Sequence, residues 1–298
     1  MKKEKTVGGI LLRIFIGVVL AIILVVVALF LISKYVVGID IFGAYSSFKE
    51  LGTTVNTETI LTYQFEKNQD MVDALNEIIE FKTGETGLVT SGENSVNIDY
   101  DKLENLVFDS DLDLTDKQIA CMIDSALNEY KSTADESNLF EGLQLCQIKF
   151  SDYKESAGKF NSIKMNYVVK MSLTNFKSMM NSFPLSLFKN LLPNELYIQS
   201  TLTITKDNNR AWSYSTKAEN TTINNLDVEK TTKLISSISG IIGASNADDL
   251  GLSIGGIITD LMIGNKENLG FASGLLNAED FTFKRYNNTN YFSIKFDF

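Results

Sequence analysis

Hydrophobic residues are laid out along this chain in three patterns. The first is an unbroken run: residues 14–32, IFIGVVLAIILVVVALFLI, hold nineteen positions without a charge. At about 1.5 Å of rise per residue, a helix of that length spans roughly 28 Å, the thickness of a bilayer's hydrocarbon core. The second pattern has the helical period. Asn68 sits in cap position before Val72, Leu75 and Ile79, and the stripe ends ahead of the Thr83–Gly87 turn. A strand–cap–helix phrase then occurs twice. Val96 and Ile98 alternate, Asp99 caps, and Leu103, Leu106 and Val107 follow; Leu112 and Leu114 alternate, Thr115 caps, and Ile119, Met122 and Ile123 follow. Thr115 with Gln118 forms a capping box, and that stripe continues through Ala126, Leu127 and Tyr130. Further helices are predicted over 228–242, with Leu234, Ile235, Ile238, Ile241 and Ile242 inward, and over 249–263, with Leu250, Ile254, Ile257, Ile258 and Leu261.

The third pattern alternates. Ile163, Met165, Tyr167, Val169, Met171 and Leu173 face one way; Lys164, Asn166, Lys170, Ser172 and Thr174 face the other, with Val168 the one residue out of phase. Eleven alternating residues span about 36 Å, twice the usual strand length. Leu196, Ile198, Leu202 and Ile204 make a second ribbon, joined through Asp207-Asn208-Asn209 to Trp212, Tyr214, Thr216 and Ala218 as a long hairpin. An apolar crossing, FPLSLFKNLLP (183–193), separates the ribbons, and FTFKRY–NNTN–YFSIKFDF closes the chain as another hairpin. The predicted fold is α+β: an N-terminal transmembrane helix, then an ectodomain of long antiparallel strands packed with amphipathic helices.

Charge orients the span. Lys2, Lys3, Lys5 and Arg13 precede it against one acid, Glu4, while Lys34 is the near base on the other side, so the tail is expected in the cytoplasm. The run exceeds the 7–15 residues of a signal-peptide core and no A-x-A cleavage site follows, which argues for an uncleaved anchor. The expected organisation is a cytoplasmic tail (1–13), a transmembrane helix (14–32), a juxtamembrane linker with a short helix (33–94) and an extracytoplasmic α+β domain (95–298). Of the chain's 27 basic and 37 acidic residues, only those four bases and Glu4 precede the run, so the remainder carries about −13. Such a surface repels phosphate backbones, which excludes nucleic acid as a partner and leaves apolar contact as the means of touching lipid. Lys/Asn/Ile-rich usage points to a bacterium.

Candidate chemistry is sparse. The chain has no histidine, so Ser–His–Asp and Cys–His catalysis and His-ligated zinc are absent. Gly251-Leu252-Ser253-Ile254-Gly255 spells a nucleophile elbow but lacks the preceding strand and the histidine; the same glycines suit a helix that packs closely. Asp109-Ser110-Asp111-Leu112-Asp113 opens like a calcium loop, then places Leu114 where glycine belongs and Ala120 where glutamate belongs, so it reads as a polar turn entering a strand. A bridge between Cys121 and Cys146 would close a loop of about 25 residues and add roughly 3–4 kcal/mol. Cys121, however, falls off the apolar stripe of its helix, which predicts an unburied thiol; a bond and two free thiols both stay open. The expectation is no enzyme, no metal and no cofactor.

The anchor, the phrase LDLTDKQIACMIDSAL (112–127) and the long strands split by the FPL…LLP crossing resemble membrane-anchored exported proteins of Gram-positive bacteria. Those are similar in outline to tubular lipid-binding folds. The resemblance spans about residues 95–235 and implies apolar-ligand binding or lipid handling at the cell surface. On that reading Ile163, Met165, Tyr167, Val169, Met171, Leu173, Leu202 and Ile204 line an apolar channel, with adaptable Met165 and Met171 on its wall. A sixteen-carbon chain at about 0.8 kcal/mol per methylene would gain at most roughly 12 kcal/mol there. The alternative is a non-catalytic envelope scaffold or assembly partner that binds another protein, with the same apolar faces closed on a core.

Overall fold

The computed structural model describes residues 47–297 apart from 48, 54, 63–64, 93–94, 134–142, 180–185, 187–188, 190–191, 238–243 and 265–270. The basic tail, the 14–32 run and most of the 183–193 crossing lie outside the described residues. Among those described, no helix is long and apolar enough to cross a membrane.

Local chemistry starts the elements where the sequence predicts. Helix α1 is one turn, Thr57–Ile60. Helix α2 (Gln69–Thr83) begins at Asn68, whose side chain accepts from Met71 N at 3.1 Å, and ends at Gly84 in the left-handed region (φ +75). Strands β1 (Val89–Gly92) and β2 (Ser95–Ile98) pair as a small hairpin. Asp99 then caps α3 (Tyr100–Leu103), which stops after one turn; Leu106 and Val107, expected to extend it, lie beyond its end, and Val107 is exposed. Strand β3 (Leu112–Thr115) leads into α4 (Asp116–Thr133) through the capping box, Thr115 N donating to Gln118 Oε1 at 2.9 Å.

Four antiparallel strands follow in the order β4 (Leu143–Ser156), β5 (Lys159–Ser172), β6 (Glu195–Lys206), β7 (Tyr214–Ile223). The β4–β5 turn is Ala157-Gly158, both at positive φ (52 and 73), the geometry a tight two-residue hairpin needs. Helix α5 (Thr174–Met179) leaves β5, α6 (Val228–Ser237) and α7 (Ala247–Met262) follow β7, and α8 (Phe271–Gly274) precedes the last hairpin. That hairpin, β8 (Ala278–Tyr286) and β9 (Thr289–Phe296), turns on Asn287 and Asn288 and adds β3 to make a sheet of order β3–β9–β8. The fold of the described residues is therefore α+β with antiparallel sheets.

One core joins these layers. Helix α7 lies on β6 and β7, while α4 packs against β4, β2, β3 and α7. The sheets meet through Phe150 and Phe160, each with its ring centroid 5.1 Å from that of Phe283. Leu51, Phe65, Val72, Leu75, Ile79, Leu88 and Val89 also belong to this core. The described part of the segment expected as juxtamembrane linker and short helix, from residue 51 to residue 89, thus contributes side chains to the core of the folded body. The described residues before Asn68 show no regular period for a physical reason: Leu51, Ile60 and Phe65 each meet a different surface.

Candidate functional site

The expected channel wall is the inner face of the four-stranded sheet, and its register follows from the alternation. Ile163 pairs with Ile204, Met165 with Leu202, Tyr167 with Ser200, Val169 with Ile198 and Met171 with Leu196, so these side chains rise from one surface. On the other flank Phe150 stands beside Met165 and Leu145 beside Val169. The structure brings together Ile163, Met165, Tyr167, Val169, Leu202 and Ile204. Each is at most 1 % exposed. Leu173 is buried at the strand end, where its N–H donates to Asn194 O at 2.8 Å, and Met171 is partly buried against the core.

What covers this face is α7, and two glycines set how close it comes. A Cβ added at Gly255 would lie 3.0 Å from Tyr167 Cε1 and 3.1 Å from Leu202 Cδ1. One added at Gly251 would lie 2.2 Å from Thr221 Oγ1 and 2.6 Å from Ser200 Oγ, a separation no carbon can hold. The Tyr167 hydroxyl donates to Gly251 O, tying the middle of the expected wall to the helix backbone. Ser200 and Thr221 hydroxyls bond each other at 2.9 Å beneath the helix, and Thr221 N donates to Asp248 Oδ1 at 3.3 Å. Beside Tyr167 and Leu202 the space an acyl chain would need is occupied by helix backbone. The G-x-x-x-G spacing read from the sequence as close helix packing does that work here.

Polar groups buried along this layer are joints. Lys206, at the end of β6, donates to Phe281 O at 2.5 Å and pairs with Asp280 at 2.6 Å, with its ammonium 4.2 Å from the Phe281 ring centroid. Burial pulls the Lys206 pKa below the ordinary lysine value, with Asp280 opposing the shift. Tyr214 donates to Asp260 Oδ1 (2.8 Å) or Gly264 O (2.9 Å), and burial, then Asp260, raises its pKa. Burial likewise raises that of Tyr167. These phenols are held protonated and serve as donors.

The acidic turn resolves into an ion-pair cluster, with Asp111 and Asp113 accepting from Lys284 Nζ at 2.9 and 3.0 Å. Among the described residues no group of three or more Cys, Asp and Glu is placed to hold a metal ion. An open concavity of about 300 Å³ between the starts of α2 and α4 is lined by Glu66, Asn68, Asp70, Met71, Thr115 and Gln118. It is shallow, acidic on one side and far from the expected wall in sequence, and no buried reactive group faces it.

The two cysteines correct one expectation. Both are free, and Cys121 is 1 % exposed where an unburied thiol is predicted. A stripe argument assumes a helix with one covered side, whereas α4 is covered on several. Burial first, and then Asp124, push the Cys121 thiol up to about 12. Sequence reasoning also misses strand β4, which supplies Leu145, Ile148 and Phe150 to the wall's flank.

No family model, curated protein or solved structure matches this chain.

Proposed function

We propose that this chain is a membrane-anchored extracytoplasmic protein that works without catalysis, as an envelope scaffold or assembly partner docking another protein. The observation that carries this reading over lipid handling is the filled face. Ile163, Met165, Val169, Leu202 and Ile204 are fully buried, and α7 meets Tyr167 and Leu202 at contact distance through Gly255. For those residues to line a channel, α7 would have to leave the sheet and break the Thr221 N–Asp248 and Tyr167 hydroxyl–Gly251 O hydrogen bonds that tie it there. The anchor is supported by the nineteen-residue apolar run and its basic flank. The part of the outer face of β5–β6–β7 beyond Val168 and Tyr197, with Lys164, Asn166, Thr201, Thr203 and Lys217, remains for a partner, and the Lys164–Glu219 ion pair lies on it.

The test uses the full chain extracted from its own membranes in mild detergent. Native mass spectrometry is expected to find no bound acyl species and no uptake from phosphatidylglycerol vesicles. A photo-crosslinker at Thr203 is expected to give one protein adduct of discrete mass, while one at Leu202 gives internal crosslinks only. Stoichiometric acyl adducts that disappear in Leu202→Trp would overturn the reading in favour of lipid handling.

A further inference from the structure

The described residues between 51 and 67 (51–53, 55–62 and 65–67) run round one end of the four-stranded sheet. At one end Leu51 is buried in the main core, its carbonyl accepting from Asn224 Nδ2 at 3.4 Å, and Thr53 accepts from Asn225 just past β7. In the middle, Ile60 packs on Val168 of β5 and Tyr197 of β6, with Val55, Leu61 and Cys146 of β4 around them. At the far end Phe65 re-enters the core, and Lys67 pairs with Asp124 of α4 at 2.5 Å. Thus the segment starts on the inner side beyond β7, crosses the outer face over β6, β5 and β4, and returns to α4.

The surface it crosses is otherwise polar. Lys164, Asn166, Lys170, Gln199, Thr201 and Thr203 share the face with Val168 and Tyr197, and those two are 2 % and 9 % exposed only because Ile60 and its neighbours sit on them. This explains the one apolar residue out of phase in the β5 ribbon.

We propose that this belt is a separately opening unit, a clasp whose release uncovers the Val168–Tyr197–Cys146 patch while both sheets stay folded. Three observations carry it. The belt's grip on the outer face is a small apolar cluster apart from the main core. Its latch is an ion pair whose Asp124 is 2 % exposed, with Oδ1 lacking any hydrogen-bond partner, so the pair repays little of its desolvation. Leu51, with the bond from Asn224 Nδ2 to its carbonyl, and Phe65 fix the two ends in the main core, while the ties Thr53–Asn225 and, just before the belt, Lys230–Glu50 are exposed and worth little in water. Between those ends the belt holds only the small cluster around Ile60, and few buried contacts with exposed hydrogen bonds are the physical signature of a stretch that opens below the global unfolding free energy. The inference holds whether or not the body docks a partner.

Thiol labelling of the full chain tests it. Cys146 lies under the belt, and Trp212, the only tryptophan, reports on the far joint between the sheets, where its N–H donates to Asp280 at 3.0 Å. Labelling of Cys146 by N-ethylmaleimide, followed by mass spectrometry, is expected to proceed in urea too dilute to change Trp212 fluorescence. Ile60→Ala and Lys67→Met are expected to speed it about tenfold or more, as loss of a buried apolar contact or of a buried charge's partner implies. A Thr53→Cys/Asn225→Cys staple should stop it until a reductant is added, which separates opening from static access to a half-buried thiol. The proposal falls if labelling follows the Trp212 transition in every variant, or if the stapled chain labels as fast as the unstapled one.

Discussion

Replacing single glycines of α7 by alanine measures how closely this helix lies on the sheet. In a helix interior Gly→Ala is worth about 0.5–1 kcal/mol of added stability through backbone entropy alone. Gly256 has nothing within 4 Å of an added Cβ, so Gly256→Ala should collect that gain in full. Gly251 is the opposite case. Its Cβ would sit 2.2 Å from Thr221 Oγ1 and 2.6 Å from Ser200 Oγ, so the hydroxyls must rotate and break their 2.9 Å bond, or the helix must lift. Overpacking of that kind costs about 1–3 kcal/mol, and a buried hydroxyl left unpaired costs about 1–3 kcal/mol. The entropy gain is common to both variants, so by either route Gly251→Ala should lie about 1–3 kcal/mol below Gly256→Ala and be net destabilised by up to about 2.5 kcal/mol. Gly255→Ala, with contacts of 3.0–3.2 Å to Tyr167 and Leu202, should fall between them. Urea denaturation of the full chain in detergent, followed by Trp212 fluorescence, reads all three midpoints. If α7 stood off the sheet and left a channel, the three sites would be equivalent and each alanine would stabilise. Gly251→Ala as stable as Gly256→Ala would therefore refute the filled face and the functional reading built on it.

Other outcomes follow from charge, burial and topology. Protease added to intact cells should remove nearly the whole body and leave only a fragment of the first few tens of residues; protection of the body would refute the outward orientation. Stability should fall as pH rises from about 9 to about 12. The Cys121 thiol is held protonated in the fold up to about 12 by burial and Asp124, whereas the unfolded thiol releases its proton near 9, so the contribution is complete below that value and lost above it. Cys121→Ala should shrink the fall seen in urea titrations across that range, and an unchanged slope would contradict it. Replacing both charges, Lys206→Met with Asp280→Asn, should be neutral or stabilising by up to about 2 kcal/mol, because the buried ammonium is held below its ordinary pKa by desolvation despite Asp280, and the amide still accepts from Trp212 N. A loss beyond about 2 kcal/mol in thermal unfolding would show the ion pair to be a net stabiliser.

Much of the fold is legible in the sequence because its elements carry their own period and their own caps. The Thr115–Gln118 box, the Asn68 cap, the β5 and β6 ribbons and the Asn287–Asn288 turn all act within a few residues. What escapes is set at longer range. Strand β4 is missed because its alternation changes phase: Leu145 points inward, a bulge at Cys146 and Gln147 adds one residue, and Ile148 and Phe150 resume inward a position out of step. Leu106 and Val107 carry the helical spacing of α3 without its helix, because the chain turns away so that Phe108 can reach the core and Asn277. The belt has no period to read, since each of its anchoring side chains meets a different surface. Its trace in the sequence is displaced onto its partner, as Val168 out of phase in the β5 ribbon.

The candidate site shows the same division more sharply. An alternating ribbon with Ile163, Met165, Val169, Leu202 and Ile204 on one face is equally suited to an acyl chain or to a helix, because both present hydrocarbon at contact distance. Nothing in the ribbon can separate the two, and so the strands alone favour neither function. The deciding residues lie some fifty positions further on, in the element that faces the ribbon. A helix that lines a channel has to stand back from the sheet by the thickness of a hydrocarbon chain and fill that distance with large side chains. A helix that seals the sheet needs small residues one turn apart on the side that touches it, and Gly251 and Gly255 of α7 face Ser200, Thr221, Tyr167 and Leu202 in that way. Glycine in a helix interior sacrifices about 1 kcal/mol of propensity. Two on the contact face make physical sense only where backbone has to approach closely, and here that approach leaves the ribbon no room for a guest.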